Sequence, residues 1–331
     1  MASVTDFLFD PGQGETLLEP EEARVGSWVG APSVHEIGGQ TLLSYRRRRP
    51  RGEGRGYATY LARAEDQGAP VDLWKVPKEA LGTSSIERCA LAEGGDGYLL
   101  YLSYVDPTDH RWCIDSVTAA SPEGLEKAIS GRRVALRAGP LGLEAVKDPV
   151  VFQASGLYWM YVSCASRTSG AESISHDELH QSDDVYTTGS ITSQTGLAVS
   201  RNGFDWEWLG IVLDVNPGRW DAYAARVSCI ARIRGCTLAF YDGGPNANQN
   251  YEEKTGVAVV GHPANLAKLS ISGPWLTSTE GSGSMRYMSV LRRKGSLEFY
   301  YEWARADGSH ELRRSHVTER DLRVDEVMTD A

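Results

Sequence analysis

The chain has 331 residues, 41% of them apolar and 24% charged, with a formal net charge of −10. That length exceeds the ~100–200 residues of one ordinary domain but fits a single large all-β or barrel domain. The composition supports a sizeable core, the acidic balance excludes a basic nucleic-acid binder, and thirty-five Gly with fourteen Pro exclude a coiled coil.

The opening Met1-Ala-Ser-Val-Thr-Asp-Phe-Leu-Phe-Asp10 has neither the basic n-region nor the apolar h-region of a secretory signal. No apolar run approaches the ~18–20 residues of a membrane helix. Cys89, Cys113, Cys164, Cys229 and Cys236 are odd in number and form no Cys-x-x-Cys pair. Free thiols in a reducing compartment, and so a cytoplasmic protein, are the expectation.

One pattern then recurs along the chain: a short apolar strand, a Gly-containing turn, and an aromatic strand ending in a polar residue. The copies start at Ala31, Arg88, Asp148, Val227 and Tyr287, with steps of 57, 60, 79 and 60 residues. Further strands are predicted at Tyr57–Ala64, Trp112–Ala119, Thr195–Ser200, Glu207–Leu213, Thr255–Val260 and Glu311–Val317. The single helix-like stretch is Glu123–Ser130. Three or four antiparallel strands repeated five times predict an all-β, five-bladed β-propeller with an axial funnel. It would form one domain, with blades near 25–75, 84–130, 143–215, 222–270 and 283–320. Ring-closing strands are expected from residues 1–25 or from the last dozen. The 79-residue step holds a polar insertion over 169–188, long enough to act as a lid over the funnel.

Val146-Lys-Asp-Pro-Val-Val-Phe152, Gly156-Leu-Tyr-Trp-Met-Tyr161 and Thr195-Gly-Leu-Ala-Val-Ser-Arg-Asn-Gly-Phe-Asp-Trp206 carry a resemblance. With them the chain resembles the five-bladed propeller glycosidases: family 43 and 32 glycoside hydrolases and the related family 130 mannoside phosphorylases. The resemblance implies that the first residues of the innermost strands line the funnel and act on a sugar. It also has departures. Family 43 enzymes carry a catalytic Asp in an Asp-Pro setting on the first blade, where this chain reads Gly30-Ala31-Pro32. The second, fourth and fifth blades read Glu87-Arg88-Cys89, Ala225-Arg226-Val227 and Met285-Arg286-Tyr287.

Glycoside hydrolysis uses two carboxyl groups, ~5 Å apart for retention and ~6.5–9.5 Å apart for inversion. Asp148 is the leading carboxylate, heading an apolar strand before a Pro; alternation predicts that it faces with Val150 and Phe152 while Lys147 points away. Glu87, Asp242 and Glu253 are the candidates for the second. Arg88 could hold an anionic group, Trp220 could stack on a sugar, and Asp221 with Arg226 could form a polar pair. Asn246, Asn250 and Glu252 in the loop Tyr241-Asp-Gly-Gly-Pro-Asn-Ala-Asn-Gln-Asn-Tyr-Glu-Glu253, with Tyr287, Glu302 and His35, complete the set of candidate ligand contacts. Asp115, inside a strand, reads as structural. Arg46-Arg-Arg-Arg-Pro-Arg-Gly-Glu-Gly-Arg55 could bind phosphate groups or an anionic partner, but in a chain of net charge −10 it reads first as a solvated loop. His35 has no His-x-x-x-His or Cys partner, and neither a metal nor a cofactor is expected.

The expected function is therefore a glycosidase-like enzyme acting on a small glycoside or sugar-derived metabolite, with no nucleic-acid or membrane partner. Two alternatives stay open: a repurposed propeller catalysing a non-hydrolytic step on a small polar metabolite, and a non-catalytic carbohydrate-binding propeller.

Overall fold

The computed structural model describes residues 9–318 except 96 and 234. Among these residues the fold is nearly all β, with two short α-helices, α1 (Gly124–Ala128) and α2 (His176–His180). A first short strand, β1 (Glu15–Leu18), precedes four consecutive four-stranded antiparallel meanders. The first is β2 (Trp28–Ile37), β3 (Gln40–Arg48), β4 (Gly56–Arg63) and β5 (Val71–Pro77). The second is β6 (Ala90–Gly94), β7 (Gly97–Val105), β8 (Trp112–Ala119) and β9 (Arg133–Arg137). The third is β10 (Ala145–Ala154), β11 (Leu157–Arg167), β12 (Ile191–Ser200) and β13 (Glu207–Leu213). The fourth is β14 (Ala224–Ile233), β15 (Cys236–Gly244), β16 (Lys254–His262) and β17 (Asn265–Lys268).

The fifth meander supplies β18 (Met285–Arg293), β19 (Ser296–Ala304) and β20 (His310–Thr318), and its fourth strand is β1, pairing Glu15 with Arg314. Of the two expected sources of a closing strand, residues 1–25 therefore provide one; the last dozen lie outside the described residues. The outer strands β5, β9 and β17 are additions to the sequence reading. Val71, Asp72 and Lys75 in β5 are exposed, so these strands lack the long apolar runs of inner ones.

Two causes fix this arrangement. Each innermost hairpin turns on a glycine at positive φ — Gly39, Gly97, Gly156, Gly235 and Gly295 — which a tight hairpin turn demands. Each meander then has two apolar faces that water must not see. Leu42, Leu61 and Trp74 of the first pack on Leu91, Leu100 and Leu102 of the second. Equivalent clusters join second to third, third to fourth, fourth to fifth, and fifth back to first, where Tyr300 and Leu312 meet Val29 and Leu43. The innermost strands accordingly touch in the cyclic order β2, β6, β10, β14, β18 and β2 again.

One local feature overturns a simple alternation of faces. β2, β10, β14 and β18 each carry a register shift near their start, between Gly30 and Ser33, Lys147 and Val150, Val227 and Cys229, and Arg286 and Ser289. Ala31, Asp148 and Tyr287 sit at these bulges with φ of 53°, 53° and 54°. A bulge re-aims the side chains beside it. Lys147 does not point away from Asp148: both are buried and their charged groups lie 3.2 Å apart.

All five cysteines are free thiols, four of them buried. Among the described residues no helix is long and apolar enough to cross a membrane.

Candidate functional site

The starts of the innermost strands converge on a buried network of charges. Glu87 accepts from Arg46 at 2.6 Å and Arg48 at 3.0 Å, so the second meander is tied to the first. Glu302 accepts from Arg286 at 2.7 and 2.9 Å, lies 3.4 Å from Arg46, and faces His310 at 2.8 Å. Glu253 receives Arg286 at 2.7 Å and a further, shorter bond from Arg226, which also donates to Asn250 at 3.2 Å. These ionic residues are at most 5% exposed. Buried charges persist only when paired in this way.

The run Arg46–Arg49 is therefore not a solvated loop. Its first three residues end strand β3, where side chains alternate; Arg46 and Arg48 turn inward and Arg47 outward, and Arg49 beyond the strand is exposed. Arg48 lies 4.9 Å above the Trp28 ring and 4.4 Å above that of Tyr251, and Arg286 also lies 4.9 Å above Trp28. Such stacking stabilises a desolvated guanidinium.

The carboxyl groups divide by environment. Burial pushes Glu87 up, but Arg46, Lys147 and Arg48 together outweigh it and hold the carboxylate well below its usual range. Glu302 is held down in the same sense by Arg286 and Arg46 against its burial. Asp242 is the opposite case: burial raises it to about 6, with Arg226 and the Tyr287 N–H opposing. That N–H donates to both Asp242 oxygens at 3.1 Å. The Tyr287 hydroxyl lies 3.4 Å from Asp148 and 3.5 Å from Glu87, so one tyrosine spans three candidate carboxylates.

The insertion over 169–188 closes one side. Its Asp184 accepts from the Tyr251 hydroxyl and pairs with Arg51 at 3.1 Å and Arg55 at 3.5 Å. Its Tyr186 ring lies 4.6 Å from the Lys147 ammonium and 5.7 Å from the Arg226 guanidinium. Several buried donors of this region have no hydrogen-bond partner: Arg46 Nη1, Arg48 Nε, Arg226 Nε, Asn250 Nδ2 and the Tyr186 hydroxyl.

Of the residues singled out from sequence, Glu87, Asp148, Arg226, Asp242, Glu253, Tyr287 and Glu302 are brought together here. Arg88 joins them through its backbone N–H, which donates to Asp148 at 3.3 Å, while its side chain runs across the ring. Its guanidinium reaches the carbonyls of Ser228 on β14 and, at 3.5 Å, Met288 on β18. Beyond it, further along the same strands, is a cavity of about 300 Å³ lined by Arg88, His35, Phe152, Cys229 and Ser289. His35 therefore belongs to the opposite end of the ring, where burial and the Arg88 charge push it down to about 4.

Trp220 and Asp221 join neither place. Trp220 donates to the Ser270 carbonyl at 2.7 Å and covers Gly243 and Gly256, while Asp221 pairs with Lys268 at 2.6 Å and Tyr241 at 3.2 Å. They hold the fourth meander together. Asn246 is exposed and caps the turn at Gln249; Asn250, four residues on, is the buried one. Asp115, bonded to Tyr104 at 2.6 Å and Arg137 at 2.7 Å, is structural as read. Arg46, Arg48, Lys147, Arg286 and His310 were missed. Inward alternation along β3 was the available signal for the first two; nothing in sequence marked His310. The sequence reading looks for a metal partner at His35 alone and does not weigh the pair His176-x-x-x-His180, whose rings approach Glu144.

No family model matches the chain, and no curated protein matches it in sequence. Solved structures do. A GH43_1 enzyme from Xanthomonas citri, solved with xylotriose, superposes with a TM-score of 0.61 at 11% identity, over 92% of this chain and 90% of its own. The β-1,2-mannobiose phosphorylase from Listeria innocua gives 0.60 at 14% identity, over 97% and 99%. RS223 β-xylosidase gives 0.61 at 11% identity, over 92% and 94%. The chain thus shares the fold of the propeller glycosidases and glycoside phosphorylases.

Proposed function

We propose that the chain is a single five-bladed β-propeller whose axial polar funnel makes it a glycosidase-like enzyme for a small glycoside or sugar-derived metabolite. The observation that carries the reading is the separation of the carboxyl groups. Glu87, Glu253 and Glu302 are each locked by two or more cationic partners, and those partners hold Glu87 and Glu302 ionised. Asp242 is raised to about 6 by burial and carries no direct ion pair among the described residues, as a proton donor to a leaving oxygen needs. Asp148, beside Lys147 and the Tyr287 hydroxyl, is the carboxylate that faces developing positive charge on the sugar.

A second reading, transfer of the glycosyl group to an anionic acceptor, is favoured by Ala31 and by the unpartnered donors. Ala31 at the first bulge supplies no carboxylate of its own to activate water, and the neighbouring Glu302 is held by Arg286 and Arg46. An anion such as phosphate needs no such base; its oxygen would bond to the anomeric carbon as the glycosidic C–O bond breaks and Asp242 protonates the leaving oxygen. Arg46 Nη1, Arg226 Nε and Asn250 Nδ2 are unpaired donors suited to hold it.

The test is incubation with a panel of small glycosides, with and without inorganic phosphate, followed by product identification. Free sugar independent of phosphate supports hydrolysis, and a sugar phosphate formed only with phosphate supports transfer. Saturable sugar binding with neither product overturns both and leaves a carbohydrate-binding propeller.

A further inference from the structure

The segment that covers the funnel carries a cluster the funnel chemistry does not use. Helix α2 begins at Ser175, whose hydroxyl caps the Glu178 N–H at 3.2 Å, and places His176 and His180 one turn apart on one face. Their rings are 4.6 Å apart between centroids. Facing them is Glu144, immediately before β10, with Oε2 2.8 Å from His180 Nε2. One ligand atom from each of the three lies within 4.8 Å of the other two. His180 and Glu144 are 3% and 7% exposed, and His176 Nδ1 is buried with no hydrogen-bond partner.

We propose that Glu144, His176 and His180 form a binding site for a divalent transition metal of the zinc class, which fastens the insertion to the start of β10. Two imidazoles and one carboxylate are a recognised three-ligand zinc set, with a fourth position left for water on the side where His176 is only partly covered. Ligands ~2.0–2.1 Å from one zinc ion stand about 3.3 Å apart in a tetrahedron. The Glu144–His180 contact therefore opens slightly and the third ligand closes in, which side-chain rotation can supply.

The surroundings select the class of ion. Arg167 donates to Glu144 Oε1 at 2.6 Å and Arg111 to Oε2 at 3.1 Å. They orient the carboxylate as outer partners orient metal ligands, and they subtract from the negative charge that Ca²⁺ or Mg²⁺ would require. Imidazole nitrogens suit Zn²⁺, Co²⁺ and Ni²⁺ instead. Arg167 also donates to the carbonyls of Ala171, at 3.1 Å, and Ile174, so the approach to α2 is already braced. A metal here links α2 to Glu144, while Asp184 and Tyr186 follow α2 and Lys147 and Asp148 follow Glu144. The bridge therefore joins two segments that both build the funnel.

Untagged, chelator-stripped protein titrated with ZnCl₂ by calorimetry tests this, with CoCl₂ as a spectroscopic probe. One equivalent of zinc is expected to bind, to raise the thermal midpoint, and to slow proteolysis within 169–188; cobalt is expected to give visible d–d bands. His176→Asn alters a partly exposed side chain whose Nδ1 has no partner, so the apo variant keeps its midpoint. Losing even an outer-shell partner costs ~10–100-fold in metal affinity, so the loss of this ligand weakens zinc at least ~10-fold. No zinc uptake by the wild type, undiminished uptake by His176→Asn, or equal uptake of CaCl₂ overturns the site. Zinc uptake without slower cleavage of the insertion overturns the fastening role.

Discussion

The backbone N–H of Tyr287 donates to both carboxylate oxygens of Asp242 at 3.1 Å, across the junction between the fifth and fourth meanders. The bond exists because the bulge in β18 puts Tyr287 at φ 54° and turns its N–H out of the β18–β19 ladder. Asp242 comes from β15, two residues before that strand ends at Gly244, and sits opposite Arg226 near the start of β14. One backbone donor offsets little of the cost of burying a carboxylate, so Asp242 holds its proton up to about pH 6.

The first prediction follows in both activity and stability. As proton donor, Asp242 supports turnover that declines as pH rises through about 6. Asp242→Asn should cut kcat by ~10²–10⁴-fold, the usual worth of general acid–base work, and remove that limb of the pH profile. The folded value lies above the ordinary 3.8, so this group's favourable contribution is complete below about 3.8 and is lost as pH rises through about 6. Thermal melts of Asp242→Asn should therefore gain on the wild type at pH 8 and not at pH 4. An unchanged pH–rate profile would sink the assignment.

Glu87 supports the opposite kind of variant. It is 1% exposed and holds Arg46 and Arg48 together across the first and second meanders. Glu87→Gln leaves two buried guanidinium groups facing a neutral amide. Removing one partner of a buried pair typically costs ~3–5 kcal/mol, so urea unfolding should show a loss of that order. A loss under ~1 kcal/mol, the range of exposed pairs, would mean that water reaches this network.

Much of this architecture is legible in the sequence. The five Gly turns and the five apolar–aromatic hairpins mark the innermost strands, because turn chemistry and burial are local signals. The carboxylates heading those strands could be named for the same reason. The partners could not. Arg46 and Arg48 look like a charged surface run until β3 is continued to its end and alternation turns them inward. Lys147 was assigned to the wrong face because a bulge at φ 53° breaks the alternation at Asp148, and sequence gives no sign of a bulge at a non-glycine residue. Trp220 was read as a sugar platform; its indole fills the space over two glycines, Gly243 and Gly256, whose role as a cradle only the fold discloses.

Acid should unfold the chain through the same network. Glu87 and Glu302 are both held below the ordinary 4.5 by their guanidinium neighbours, against the upward push of burial. A depressed folded value contributes stability that is present above about pH 4.5 and lost as pH falls towards the folded value. The thermal midpoint should fall steeply below pH 4.5, and Glu87→Gln should flatten that fall. A variant melting curve with the wild-type acid slope would place the sensitivity elsewhere.

The last prediction concerns backbone spacing. Gly56, the first residue of β4, accepts from the Ile86 N–H at 2.9 Å and is the cross-strand partner of Arg48. A Cβ on Gly56 would stand 1.8 Å from the Ile86 carbonyl oxygen, a backbone atom that cannot rotate away. Overpacking of this kind costs ~1–3 kcal/mol, and the rigid obstacle places Gly56→Ala at the upper end. Gly52, with nothing within 4 Å of an added Cβ, is the control. Ile86 adjoins Glu87, so pushing the two segments apart also lengthens the Glu87–Arg48 contact of 3.0 Å. Gly56→Ala should therefore lose stability and, in a double-mutant cycle with Glu87→Gln, lose less than the sum. Strict additivity would show that the junction and the ion network are independent.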